Sequence, residues 1–141
     1  MAVIILAAGL GTRMKSGRAK VLHEIHGTPM IFYVLETTTR LSIDNIVVVV
    51  GNQADTVKKM VAARYRACFA LQEKQLGTGH AVQCAIPFIP EHVEDVLILC
   101  GDVPIVRHET LKWLVDDHID AQRDVTVLSV EMRDPNGYER V

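Results

Sequence analysis

Short, uninterrupted apolar runs at residues 2–8, 46–50 and 96–100 each lead straight into a glycine, and stretches of helical period separate them. A strand that is apolar on both faces has to be covered on both faces, which a mainly parallel sheet between helices provides. Residues 30–41 place Ile31, Val34, Leu35, Thr38 and Leu41 on one helical face. Gly51 and Asn52 predict a turn and N-cap, ahead of a helix carrying Ala54, Val57 and Val61. Residues 67–71 predict a short strand and residues 78–86 a short helix. Residues 109–119 predict a helix burying Leu111, Leu114 and Val115 with His118 or Ile119, and residues 125–130 a further strand. The expected architecture is one α/β unit over residues 1–141, a mainly parallel sheet with right-handed crossovers and helices on both faces. Ligands of such sheets bind beyond the carboxyl ends of the strands. The glycine-rich, basic segment 9–20 and the pair Gly101-Asp102 both follow apolar strands, so both belong to that edge.

Composition narrows the function classes. The chain is 49% hydrophobic and 23% charged, with a net charge of −2. That is an ordinary globular balance, and it lacks the basic excess of a general nucleic-acid surface. Three cysteines, Cys68, Cys84 and Cys100, form no C-x-x-C pair and leave an odd count, which favours a reducing compartment. They read as small buried hydrophobes. The apolar start is too short to span a membrane and lacks a basic leader region, so a cytoplasmic protein without membrane attachment is expected. Six histidines show no zinc spacing, and Trp113 reads as ordinary packing.

The segment LAAGLGTRMKS, residues 6–16, narrowly misses two phosphate-binding motifs. A dinucleotide fingerprint needs glycine three places after Gly11, where Met14 stands. A P-loop needs glycine immediately before Lys15-Ser16, and Met14 stands there too. What remains is a bare loop after a strand, holding the closely spaced cations Arg13, Lys15, Arg18 and Lys20, a cradle for a polyphosphate. Ala7, Ala8 and Gly9 are small enough for a base or ribose to lie against the backbone. Thr78 reads equally as a ligand contact or a helix N-cap. Asp102 reads as a metal ligand at the sheet edge or as a turn-capping aspartate before Val103-Pro104.

LAAGLGTRMKS followed by AKVLHEIHGTPMI resembles the signature of the nucleotidyltransferases that act on sugar phosphates. QLGTGHA at residues 75–81 and GDVP at residues 101–104 are similar to the uridyltransferase half of the bifunctional N-acetylglucosamine-1-phosphate uridyltransferase and glucosamine-1-phosphate acetyltransferase family. The resemblance implies a Rossmann-like nucleotidyltransferase fold. It implies UTP and N-acetylglucosamine-1-phosphate as substrates, Mg2+ as cofactor, and UDP-N-acetylglucosamine with pyrophosphate as products. It assigns catalysis to Arg13 and Lys20. Nucleotide contacts fall on Leu6, Ala7, Ala8, Gly9, Lys20, Gln72, Gly77, Thr78, Cys100, Gly101 and Asp102, with Asp102 also holding the metal. In that family further sugar contacts, a second, asparagine metal ligand and a trimer-building C-terminal domain lie downstream, so the resemblance predicts that residues 1–141 are the nucleotide-binding portion of a truncated domain with little turnover of its own.

Some positions depart from the family pattern. Ala19 replaces a proline before Lys20, Cys100 a tyrosine, and Glu139 the second glycine of Gly-Tyr-Gly-Arg, bringing a negative charge toward the sugar. Two other readings stay open: a nucleotidyltransferase of the same fold with another base or acceptor, and a nucleotide-binding module without catalysis.

Overall fold

The computed structural model describes residues 1–11, 14 and 16–133. Strand β1 (Ala2–Ala7) leads through a 3-10 turn at Lys20–Leu22 and a small hairpin, β2 (Glu24–Ile25) and β3 (Thr28–Pro29), into helix α1 (Met30–Thr39). Then come β4 (Asn45–Val50), α2 (Ala54–Ala62), β5 (Cys68–Leu71), α3 (Thr78–Ala85), β6 (Val96–Cys100) and α4 (His108–Asp120). The main sheet has the order β5-β4-β1-β6, and its three strand pairings are parallel.

Burial explains that order. Ala2, Val3, Ile4, Ile5 and Ala7 are each 2% exposed or less, as only an inner strand can be. On one face Val3, Ile5, Val48, Val50 and Leu97 meet Ile31, Val34 and Leu35 of α1, Val57 and Val61 of α2, and Leu114 of α4. On the other face Ile4, Val47, Val49 and Ala70 meet Ala81 and Ala85 of α3. Each fully buried Val, Ile or Leu contributes about 1.5–3 kcal/mol, so this two-sided core is what holds the sheet. Thr38, also buried, satisfies its hydroxyl by donating to the Val34 carbonyl at 2.8 Å.

The order also fixes where a ligand can enter. From β1 the chain moves outward through β4 to β5, then crosses back over the opposite face to place β6 on the other side of β1. The direction of winding therefore reverses between β1 and β6. Such a reversal opens a crevice at the carboxyl ends of the two strands.

Several expectations need correction. Residues 125–130 form no strand, and Val125, Val127 and Val130 are 75%, 59% and 75% exposed. An apolar run supplies β-propensity but not a ladder partner, and this one runs beside β6 without pairing to it. It borders an apolar cavity of about 800 Å³ against β6 and α4. The N-cap of α2 is Gln53, in the left-handed conformation, rather than Gly51 or Asn52. Cys68 and Cys100 are exposed, because β5 and β6 are the edge strands of the sheet, and Cys84, on α3, is intermediate. Trp113 is 62% exposed, so it is not a packing residue. In α4 Leu111 and Leu114 are buried, His118 is half-buried and Ile119 is exposed.

Candidate functional site

The carboxyl end of β1 forms the floor of the crevice. Leu6 is half-buried, Ala7 and Ala8 are 2% and 4% exposed, and Gly9 opens to solvent. Beside them Gly101 donates its N–H to the Leu6 carbonyl at 2.9 Å. A Cβ at Gly101 would lie 3.0 Å from that same oxygen, so the close approach of β6 to β1 here favours glycine. Cys100 and Gly101 therefore lie directly alongside Leu6, as the β1–β6 register requires.

The two ends of the basic loop, Gly11 and Lys20, come together beside this floor. Gly11 has φ +62°, a left-handed conformation, and its backbone packs on Lys20, whose Cβ would lie 2.9 Å from a Cβ at position 11. The 3-10 turn then carries Lys20 to the crevice, where Nζ donates to Oδ2 of Asp102. The two side chains are 42% and 27% exposed, so a ligand can reach both. An ammonium and a carboxylate thus stand side by side at the winding reversal, neutralising each other. Arg18 takes no part: it pairs with Glu24 at 2.8 Å, away from the floor. Arg13 and Lys15 lie outside the described residues, as do the turn at 134–137 and Glu139.

On the other flank, Gln72 extends β5 by donating its backbone N–H to the Val50 carbonyl at 2.8 Å. Its side chain is buried, and its Nε2 donates to the Gly77 carbonyl at 3.0 Å. Gly77 and Thr78 are exposed at the start of α3. Gly77 is the N-cap and no side chain caps the helix, so Thr78 is not the N-cap but the exposed first residue of the helix. Gln72, Gly77 and Thr78 are brought together on the β4–β5 side, Lys20, Gly101 and Asp102 on the β6 side, with Ala7 to Gly9 between them.

Two glutamines, Gln53 and the Gln75 that opens the QLGTGHA segment, hold the parts in place. Gln53 accepts from the Ala19 N–H at 3.0 Å and donates to the Gly17 carbonyl, tying the basic loop to the turn before α2. Gln75 donates to the Ala8 carbonyl at 3.2 Å, tying the loop before α3 to the end of β1. No local pattern announces either contact, since each joins segments distant in the chain.

The metal question turns on donor count. Among the described residues no group of three or more His, Cys, Asp or Glu side chains could hold an ion. Magnesium usually takes one or two carboxylates and completes its shell with water and phosphate oxygens. Asp102 suits an ion that arrives with a nucleotide and does not make a stand-alone metal cage. Among the described residues no helix is long and apolar enough to cross a membrane.

The chain is 46% identical over 141 residues to the bifunctional protein GlmU of Geobacter metallireducens, covering 100% of this chain and 30% of that one. It is 49% identical to the bifunctional protein GlmU of Pelobacter propionicus, covering 100% of this chain and 31% of the other. The chain thus spans about 30% of the length of these relatives. A nucleotidyl transferase from Methanothermobacter thermautotroptrophicus shares the fold, with a TM-score of 0.71 at 18% identity, over 82% of this chain and 56% of that one. Matched from residue 3 to residue 137, the chain belongs to the MobA-like NTP transferase domain family.

Proposed function

We propose that residues 1–141 are the nucleotide-binding portion of a cytoplasmic uridyltransferase that joins UTP to N-acetylglucosamine-1-phosphate. The reading is carried by one observation: Lys20 and Asp102 meet at the winding reversal, beside bare backbone at the end of β1. In this reaction an oxygen of the sugar phosphate attacks the α-phosphorus of UTP, the bond to the β-phosphate breaks, and pyrophosphate leaves. A phosphate monoester is already largely ionised near neutrality, with a second pKa of about 6, so no general base is needed. The barrier is repulsion between anions, and positioning with fixed charge is what lowers it.

Lys20 gives up Asp102 for the phosphates and acts as a point charge beside the reacting centre. Arg13 supplies a second cation to the triphosphate. Magnesium, held by Asp102 and phosphate oxygens, would neutralise charge on the leaving pyrophosphate. The ribose lies along Leu6 to Gly9, with Cys100 and Gly101 at its side, while Gln72, Gly77 and Thr78 receive the base. The identity of 46–49% to GlmU proteins over the whole chain supports uracil as that base and N-acetylglucosamine-1-phosphate as acceptor.

Calorimetric titration of the 141-residue chain with UTP, with and without Mg2+, tests the reading. Binding is expected to strengthen with Mg2+, and Asp102→Asn to remove that gain. Lys20→Ala should weaken UTP binding at either Mg2+ level. In a protein that contains this chain and turns over, Lys20→Ala should lower kcat at least about 100-fold, since a preorganised donor of this type contributes about 2.7–4 kcal/mol. Binding indifferent to both substitutions would overturn the assignment.

A further inference from the structure

Gln72 is 3% exposed, and it and Thr38 are the buried polar side chains among the described residues. Its carboxamide nitrogen lies 3.0 Å from the Gly77 carbonyl oxygen and 3.0 Å from Nδ1 of His80. A carbonyl oxygen can only accept, so the Gly77 contact settles that nitrogen, not oxygen, faces this way. One hydrogen goes to Gly77 and the other to His80 Nδ1, which must present a lone pair. His80 is then neutral with its hydrogen on Nε2, directed at Cys84 Sγ, a weak acceptor 3.9 Å away. Both donors of Gln72 are committed. Only Oε1, an acceptor, remains for a ligand.

We propose that His80 is a specificity-determining positioning residue, which locks Gln72 as a hydrogen-bond acceptor and thereby selects a pyrimidine carrying N–H at ring position 3. The inference rests on the uridine-nucleotide reading above. Uracil donates from N3–H to Oε1. Cytosine turns a lone pair to the same point, where two acceptors oppose each other without a proton between them. Protonation of His80 breaks the lock, because both ring nitrogens become donors and Nδ1–H meets the Gln72 N–H. The carboxamide cannot escape by rotating half a turn, since Oε1 would then face the Gly77 carbonyl. The base preference therefore fades on the acid side.

The surroundings leave the ring to govern this contact. On α3 itself the titratable neighbour is Cys84. From β1, β4 and β5 the side chains that meet α3 are Ile4, Ala8, Val47, Val49 and Ala70, none of them charged. Glu73 and Lys74, which follow Gln72, are exposed, and no ion pair of the described residues includes His80.

The test uses the 141-residue chain in two measurements. Nitrogen-15 NMR without ligand reads the His80 tautomer and the Gln72 carboxamide at pH about 8 and about 5, the ends of the interval over which imidazoles change charge. The Nε2–H tautomer with a protected Gln72 amide is expected at the upper pH, with protection lost as His80 protonates. Equilibrium titrations with UTP and CTP then give an affinity ratio in which phosphate ionisation cancels. His80→Leu is expected to lower the UTP-over-CTP ratio about tenfold at the upper pH, the effect of losing one well-placed hydrogen bond. His80→Asn keeps an acceptor toward Gln72, so it should preserve the ratio at the upper pH, where cytosine N3 carries no proton. An unchanged ratio in His80→Leu, or a Gln72 amide indifferent to His80 protonation, overturns the proposal, and the wild-type pH series decides it even if a variant does not fold. Should the wild-type chain take up neither nucleotide while the NMR lock is present, the uridine reading fails and the Gln72–His80 lock stands.

Discussion

Replacing Gly11 by alanine isolates the contact that sets Lys20. At φ +62° an L residue costs about 1–2 kcal/mol. The new Cβ would stand 2.9 Å from Lys20 Cβ and 3.6 Å from Lys20 Cα and Cγ. The closest of these is a rigid atom next to the main chain, so the strain cannot be relieved by swinging the side-chain end. Overpacking of this kind adds about 1–3 kcal/mol, and the stiffer unfolded chain gives back about 0.4–1 kcal/mol. The net expectation is a loss of about 1–5 kcal/mol, with Lys20 pushed away from Asp102. Gly17→Ala is the control: it lies in the same loop, no atom is within 4 Å of its would-be Cβ, and its φ is not left-handed. Urea denaturation followed by circular dichroism measures both variants, and UTP titration shows whether the site moved. Gly11→Ala as stable as Gly17→Ala, with equal UTP affinity, would refute the packing argument.

Gln53→Ala removes the acceptor for the Ala19 N–H, and Ala19 is 1% exposed. A buried donor left without a partner costs about 1–3 kcal/mol, so urea unfolding should shift by that amount and UTP affinity should fall with the loosened loop. Tyr65 provides a pH test away from the site. Burial, reinforced by the charge of Glu36 and opposed by Arg64, holds its phenol above the ordinary 10.0. Because the folded value is the raised one, the associated stability is complete below about pH 10 and is lost as pH climbs through the folded value. Thermal unfolding measured from neutral pH to beyond that point should decline less steeply in Tyr65→Phe than in the parent.

The strands of the core were legible because a run such as Ile46 to Val50 has no polar face, and such a run has few places to go other than the middle of a layered sheet. The same reasoning overreached at residues 125–130, where apolar character came without a neighbouring strand to complete the ladder. Cys68 and Cys100 were misread because edge position is a property of topology, not of the residue. In the site, the floor and Asp102 could be placed by their position after strands. That Lys20 pairs with Asp102 could not, since it joins residues 82 positions apart. The contacts of Gln53 and Gln75 escaped notice for the same reason, acting 36 and 67 positions away, although Gln75 belongs to the QLGTGHA segment. Thr78 yielded its capping role to Gly77, a difference of one residue that periodicity does not resolve.

The loops around the crevice are fastened largely to peptide groups: the carbonyls of Leu6, Ala8, Gly17 and Gly77 and the N–H of Ala19. A peptide group is the same whatever side chain it carries. The residue at Leu6, Ala8, Gly17 or Ala19 can therefore change without removing the bond itself, whereas Gly77, at φ +101°, takes a side chain only with backbone strain. A shared architecture with a protein only 18% identical is what such backbone fastening permits.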